Sequence, residues 1–274
     1  ETERFDASEN IENCLRHTRD EKAFNFYGVS PFESTEEMPN EQWKQVSQYV
    51  ADFNENERYS TFLGFQWMGE TKSEGMRQFI HIKDGKAILR KKEAKNSSLK
   101  KIYRTLSPKE TIAIPTFTMG HCYDFSDYNP EFERVVEIYN SWGASECKGV
   151  DGNRRPISGK GKTSYKEIND GAITKALNAN CRFGFVAGGL DDRGAYDGLF
   201  EGDQEQYSPG LTAILAEEHT REALFTALYN RSCYATTGSR ILVSVDIAGN
   251  RMGAEISTEN KPGLLVNRHI SGDV

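Results

Sequence analysis

Apolar positions recur along the chain with two periods, and those periods lay out its elements. Ile11, Leu15 and Thr18 share one face of a helix predicted over about 9–22, with Asp6 and Ser8 as candidate caps. Asn25–Val29 reads as a buried strand ending in Ser30-Pro31-Phe32-Glu33. Beyond Pro39-Asn40, the residues Trp43, Val46, Val50 and Phe53 are spaced for the apolar face of a second helix. Tyr59–Trp67 and Arg77–Ile82 read as strands, and 83–104, rich in lysine, as a solvated hairpin or excursion. Thr111–Ile114 is a short strand stopped by Pro115, and Arg134–Tyr139 is another, ending at Asn140-Ser141-Trp142-Gly143. Residues 148–163 carry Gly, Lys and Arg without periodicity and read as a long solvated loop.

The stretch FGFVAGGLDDRGAYDG over 183–198 organises the rest. Its apolar run Phe183–Ala187 suits a buried parallel strand, and Gly188-Gly189 then deliver Asp191, Asp192 and Arg193 at a turn. In α/β folds, side chains at the carboxyl ends of strands are where sites are built. A helix over about 168–179 precedes this strand, and a strand at Leu211–Leu215 follows it. Next come a helix at Thr220–Asn230 with Ala223, Leu224, Ala227 and Leu228 inward, and strands at Ser232–Thr236 and Arg240–Ile247. The repeated β–α–β order argues for a parallel α/β barrel or sheet. From about 240 the pattern turns all-β, with Ile241, Val243, Val245 and Ile247 alternating as in an antiparallel or edge strand.

Composition narrows the partners. A formal net charge of −7 with no basic tract argues against a nucleic-acid or acidic lipid partner. No apolar run reaches the roughly 20 residues of a membrane span. Cys14, Cys122, Cys147, Cys181 and Cys233 are scattered, without a CxxC pair, and read as structural thiols, one pair of which an oxidising compartment could bridge.

Several separate stretches resemble, in order, a bacterial domain-of-unknown-function branch of the PHP (polymerase and histidinol phosphatase) phosphoesterase superfamily. LTAILAEEHTREALFTALYNRSCYATTGSRI, from Leu211 to Ile241, is similar to a signature of that branch through Thr220, Arg221, Glu222, Ala223, Arg231, Tyr234, Ala235, Thr236, Thr237, Gly238, Arg240 and Ile241. TFLGFQW at 61–67 resembles the family's TFLGYEW, and VVEIYNSWGASE at 135–146 resembles VEIYSxxGSSE. The resemblance implies a distorted PHP-like β/α barrel over 1–239, its first strand absent, and the start of a C-terminal β extension over 240–274. It also implies that active relatives hold two or three divalent metals through His, Asp and Glu at the strand ends. A metal-bound hydroxide there attacks a phosphate or similar ester.

At the matching positions the ligands of that chemistry are replaced. The family's first motif, His-x-His, would lie upstream of Thr2, outside this sequence. TDHxE becomes Ser30-Pro31-Phe32-Glu33, the Glu of GYEW becomes Gln66, and GHRN becomes Gly75-Met76-Arg77-Gln78. PHHT becomes Pro115-Thr116-Phe117-Thr118, and SDDHxG becomes Leu190-Asp191-Asp192-Arg193-Gly194. Gln66 cannot act as a base and is a poor metal ligand. Phe32, Met76 and Phe117 would fill the vacated cavity with apolar volume, and Arg193 would pair with Asp191 in place of a cation. Glu146 matches a family glutamate without a legible role, and His17, His81, His121, His219 and His269 read as satisfied or solvated.

The residues expected at this vestigial pocket are thus Phe32, Glu33, Gln66, Met76, Arg77, Thr116, Phe117, Asp191 and Arg193, with no catalytic residue and no metal assigned. The implied function is a PHP-like domain that has lost its metal site and serves as a non-catalytic binding or accessory subunit, with another protein subunit as partner and no cofactor. Two alternatives stand beside it. One is an altered hydrolase using Asp191, Glu33, His121 or residues missing from the N-terminus, with a divalent metal such as Zn or Mn. The other is an anion- or carbohydrate-binding module with Arg77 and Arg193 as anion contacts and Trp67 or Trp142 as a stacking surface. Members of this branch are often exported, which implies a periplasmic or extracellular location.

Overall fold

A computed structural model describes residues 8–31, 38–71, 73–120, 123–157, 166–189, 207–259 and 261–270. Its centre is a four-stranded sheet in the order β1-β2-β3-β4, built from Phe26–Val29, Ser60–Met68, Met76–His81 and Thr111–Thr116. β1 runs parallel to β2, whereas β2, β3 and β4 are mutually antiparallel, so this half is not the all-parallel arrangement expected from the β–α–β order. A second sheet contains β5 (Val135–Asn140), β6 (Gly143–Ala144) and β7 (Gly184–Ala187), with β5 and β7 parallel. β8 (Leu211–Ile214) and β9 (Cys233–Thr236) form an antiparallel pair.

Alternation along the strands divides the molecule into two cores. One face of the first sheet presents Leu63, Phe65, Trp67, Phe79 and Ala113. Against it pack α1 (Ser8–Arg16), α2 (Asn40–Asp52) and α3 (Leu99–Thr105) through Leu15, Trp43, Val46, Val50, Leu99 and Ile102. The other face presents Phe62, Ile80, Ile112 and Ile114. Val135 and Val186 of the second sheet, and Leu224, Phe225 and Leu228 of α5 (Arg221–Tyr229), meet it there. A third cluster, with Val136, Cys181 and Phe183, lies under α4 (Ile173–Asn178) through Ile173 and Ala176. The two sheets therefore share an interior into which α5 also packs, with α1, α2 and α3 on the far face of the first sheet. Among the described residues they do not close into a barrel, because no ladder pairs β4 with β5; Ala113 N–H of β4 donates instead to Phe132 O in the segment before β5.

Three expectations change for identifiable reasons. Pro115 does not stop β4, which continues to Thr116. It sits opposite Arg77 at a position whose backbone N points away from β3, so the ladder loses no donor. The lysine-rich 83–104 region is not a solvated excursion throughout, since Ile88, Leu89, Leu99 and Ile102 turn into the first core while the lysines stay outside. On α5 the buried set is Arg221, Leu224, Phe225, Ala227 and Leu228, so Phe225 and not Ala223 completes the inward face.

The C-terminal part is all-β, as its alternation predicts. β10 (Ile241–Ile247) pairs with β11 (Asn250–Arg251) and β12 (Leu264–Ile270), both antiparallel. No helix among the described residues is long and apolar enough to cross a membrane. No disulfide is formed among the described cysteines, and Cys122 lies outside the described residues. Truncation of Leu224, which is 6% exposed, to Ala is expected to cost about 2–5 kcal/mol in equilibrium denaturation. A loss well under 1 kcal/mol would contradict the packing of α5.

Candidate functional site

Strand register brings some of the expected pocket residues together and separates others. Gln66 stands directly opposite Gln78, Met68 opposite Met76, and Met76 opposite Thr116, so Gln66, Gln78, Met76 and Thr116 share the inner face of the sheet. Trp67 pairs with Arg77 on the opposite face, one residue out of phase. Phe32, Glu33, Asp191 and Arg193 lie outside the described residues, as do His121 and the 158–165 part of the long loop.

Arg77 is consequently a core residue. Its guanidinium donates to Glu133 Oε1 from Nε at 3.3 Å and Nη2 at 3.2 Å, to the Tyr123 hydroxyl at 2.6 Å, and to Glu74 O. Tyr103 and Tyr123 hydroxyls donate to Glu133 Oε1 and Oε2 at 2.6 and 3.1 Å, and the Tyr123 ring lies 4.2 Å from the guanidinium carbon. Burial, the largest single effect, would lower the Arg77 pKa; Glu133 together with Tyr123 and Tyr103 outweighs it and the net shift is upward. Arg77 and Trp67 are both fully buried on the helix-covered side, which removes them as an anion contact and a stacking surface at the cavity.

On the inner face, Met76 and Phe117 pack with Met119, Ile157 and Ala172, and Trp142 rests against them. Met76 and Phe117 thus belong to one apolar cluster. Phe117 lies in the left-handed region at φ 51°, a conformation costing roughly 1–2 kcal/mol for an L side chain. Its N–H donates to Glu137 Oε1 at 3.3 Å. Thr116 is buried, with its hydroxyl bonded to Ile114 O at 3.1 Å. His81 is also buried, with Nδ1 2.9 Å from Thr111 Oγ1, and burial lowers its pKa to about 4, so it is neutral at physiological pH.

Below this plug, a cavity of about 660 Å³ runs between the inner face of the sheet, β1 and β8. Its walls include Phe62, Ile80, Ile114 and Val186, and its polar groups include Gln66, Gln78 and Glu137. Neither glutamine side chain has a hydrogen-bond partner among the described residues, and both are half-buried. Glu137, on β5 with its side chain on the same side as Val135, is 3% exposed. Asn140 Nδ2 donates to its Oε1 at 2.6 Å, alongside Phe117 N–H, while Oε2 has no partner among the described residues. Burial pushes the Glu137 pKa up to about 7, against the opposing effect of those two bonds.

Glu137 and Gln78 are the inner-face residues that sequence reasoning missed. The available signal was a lone carboxylate between apolar neighbours in VVEIY, a polar intrusion into an otherwise buried strand. Among the described residues no group of three or more His, Cys, Asp or Glu side chains is placed to hold a metal ion.

Comparison with known proteins gives relatives without a stated activity. Residues 198–262 match the family described as "Protein of unknown function (DUF3604)". An uncharacterized protein of Chlamydia pneumoniae is 50% identical over the whole chain, and uncharacterized proteins of Chlamydia trachomatis and Chlamydia muridarum are each 48% identical over it. The chain spans 44% of the length of each. A Bacteroides vulgatus crystal structure, of a two-domain protein containing a predicted PHP-like metal-dependent phosphoesterase, is similar at 14% identity. Its TM-score is 0.48, over 84% of this chain and 60% of that one.

Two substitutions test this geometry. Arg77→Met leaves Glu133 buried without its cation and is expected to cost about 3–5 kcal/mol, with Arg77→Met/Glu133→Gln recovering part of the loss. Glu137 has a folded-state pKa near 7, raised above an unfolded value near 4.5. Its contribution to stability is therefore complete below about pH 4.5 and lost as pH rises through about 7. Relative to Glu137→Gln, the wild type should lose on the order of 2–3 kcal/mol between pH 4.5 and 8. A difference independent of pH would show that Glu137 is not held protonated.

Proposed function

We propose that this chain is a PHP-like domain that works by binding, as a ligand-recognising or accessory subunit, and not by metal-dependent ester hydrolysis. The observation that carries the reading is the donor set of the inner face. The resemblance puts a carboxylate at the place of Gln66 and an imidazole at the place of Met76. The inner face of the sheets instead offers two carboxamides, Gln66 and Gln78, and one carboxylic acid, Glu137, while Glu217, Glu218, His219 and Arg240 line the same cavity elsewhere.

These residues do not fit the implied metals. Zn²⁺ takes thiolate, imidazole and carboxylate ligands in a closed set, and a hydrolytic centre needs several of them around one open position. On the inner face, one carboxylic acid with a pKa near 7 and two neutral amides supply neither the charge nor the number, and Glu217, Glu218 and His219 of the lining form no cluster of three ligands with Glu137 among the described residues. Met76 and Phe117 add apolar volume beside it, where a hydrated cation would lose its water without replacement. What the arrangement can do is exchange hydrogen bonds with an uncharged group in a largely apolar space.

Metal analysis of the purified chain after exposure to Zn²⁺ and Mn²⁺ and exhaustive dialysis tests this, together with hydrolysis of p-nitrophenyl phosphate. The expected result is far less than one equivalent of either metal and no metal-stimulated hydrolysis. An equivalent or more of bound metal accompanied by hydrolysis would establish an altered hydrolase instead.

A further inference from the structure

We propose that the cavity seats an uncharged small molecule bearing a carbonyl or carboxamide on an apolar body, with Glu137, Gln66 and Gln78 as its polar contacts. The inference deepens the binding reading above and rests on it. Three independent features point to an occupant of this class. Glu137 is 97% buried, by its 3% exposure, yet Oε2 has no partner among the described residues. It is an accessible oxygen on an otherwise buried side chain at the cavity wall, open to a hydrogen bond from an occupant. A methyl group built on Gly188, another lining residue, would sit 3.7 Å from Oε2, in ordinary van der Waals contact, so this glycine borders the cavity directly beside that oxygen. Gln66 and Gln78 stand side by side across the β2–β3 ladder with their amides likewise unpartnered.

The acid's own bonding sets the polarity. Oε1 already accepts from Phe117 N–H and Asn140 Nδ2, so in the neutral form the proton resides on Oε2 and is offered to the cavity. The groups acting on Glu137 are burial, Asn140 and the Phe117 N–H, and no charged side chain among the described residues is one of them. A carbonyl oxygen accepts from Oε2–H, and the glutamine amides provide both donors and acceptors for the rest of the head group. Phe62, Ile80 and Ile114 provide the apolar wall for the body.

Benzamide, benzylamine and benzoate have one shape and three charges, and their binding to the intact chain, followed by NMR at pH 6 and pH 8, distinguishes the possibilities. Benzamide should give saturable shifts at the Glu137, Gln66 and Gln78 resonances at pH 6 and bind up to roughly tenfold more weakly at pH 8, as the acid ionises. In Glu137→Gln, whose amide still donates, benzamide binding should persist and lose its pH dependence. Gln78→Leu should weaken it in a fold whose β2–β3 pairing is unchanged. Benzylamine binding that strengthens at pH 8 would overturn the proposal in favour of a cation site, and benzoate binding best would overturn it in favour of an anion site. Absence of saturable binding by all three would overturn it outright. The metal result bears on catalysis and the probe result on occupancy, so either reading fails separately.

Discussion

The pleat of β2 and β3 is the constraint on which the rest depends. Trp67 and Gln66 are neighbours in the chain and end on opposite sides of the sheet, as do Arg77 and its neighbours Met76 and Gln78. A slip of one residue in register would put Trp67 and Arg77 into the cavity and two glutamines under the helices. The helix-covered face prevents this. Phe65, Trp67 and Phe79 are buried there against Trp43, Leu99 and Ile102, and Arg77 finds a carboxylate and two phenols only on that side. Packing on one face thus determines which side chains the other face offers to a ligand.

Two buried carboxylates illustrate how differently the fold treats charge. Glu133 receives a guanidinium and two hydroxyls, a set that satisfies both its oxygens. Glu137 receives two neutral N–H donors on one oxygen and nothing on the other, and its pKa rises to about 7. The first is a structural tie between β3, α3 and the segment before β5. The second is a proton donor held at the wall of a cavity, poised near neutrality. Desolvation acts on both; the difference lies in the cation available to one of them.

The stretch that most resembles a family signature does structural work. The Thr220 hydroxyl accepts from Ala223 N at 3.2 Å and caps α5. Arg221 donates to Asp84 Oδ2 at 2.7 Å and Asn54 Oδ1 at 3.2 Å, fixing the start of α5 to the far side of the first sheet. The Tyr234 hydroxyl donates to Ile241 O at 2.6 Å and accepts from Val243 N at 3.0 Å, holding β9 to the first residues of β10. A motif of this kind reports a shared architecture, and the chemistry has to be read from the side chains that line the interior.

The sequence by itself determined the elements and the parity of their side chains. Helical spacing placed Trp43, Val46 and Val50 on one buried face, and alternation from Ile241 to Ile247 announced the all-β end. Only the tertiary structure decided that Arg77 belongs to the core and not to the pocket, because its sign of charge says nothing of the face it takes. Only the tertiary structure brought Glu137, Gln66 and Gln78 to one cavity. They lie on three strands of two sheets; Gln66 and Gln78 meet across the β2–β3 pairing, and Glu137 joins them from more than fifty positions further along the chain. No local period carries that information, since short-range spacing fixes a side chain's face while long-range packing fixes what that face meets.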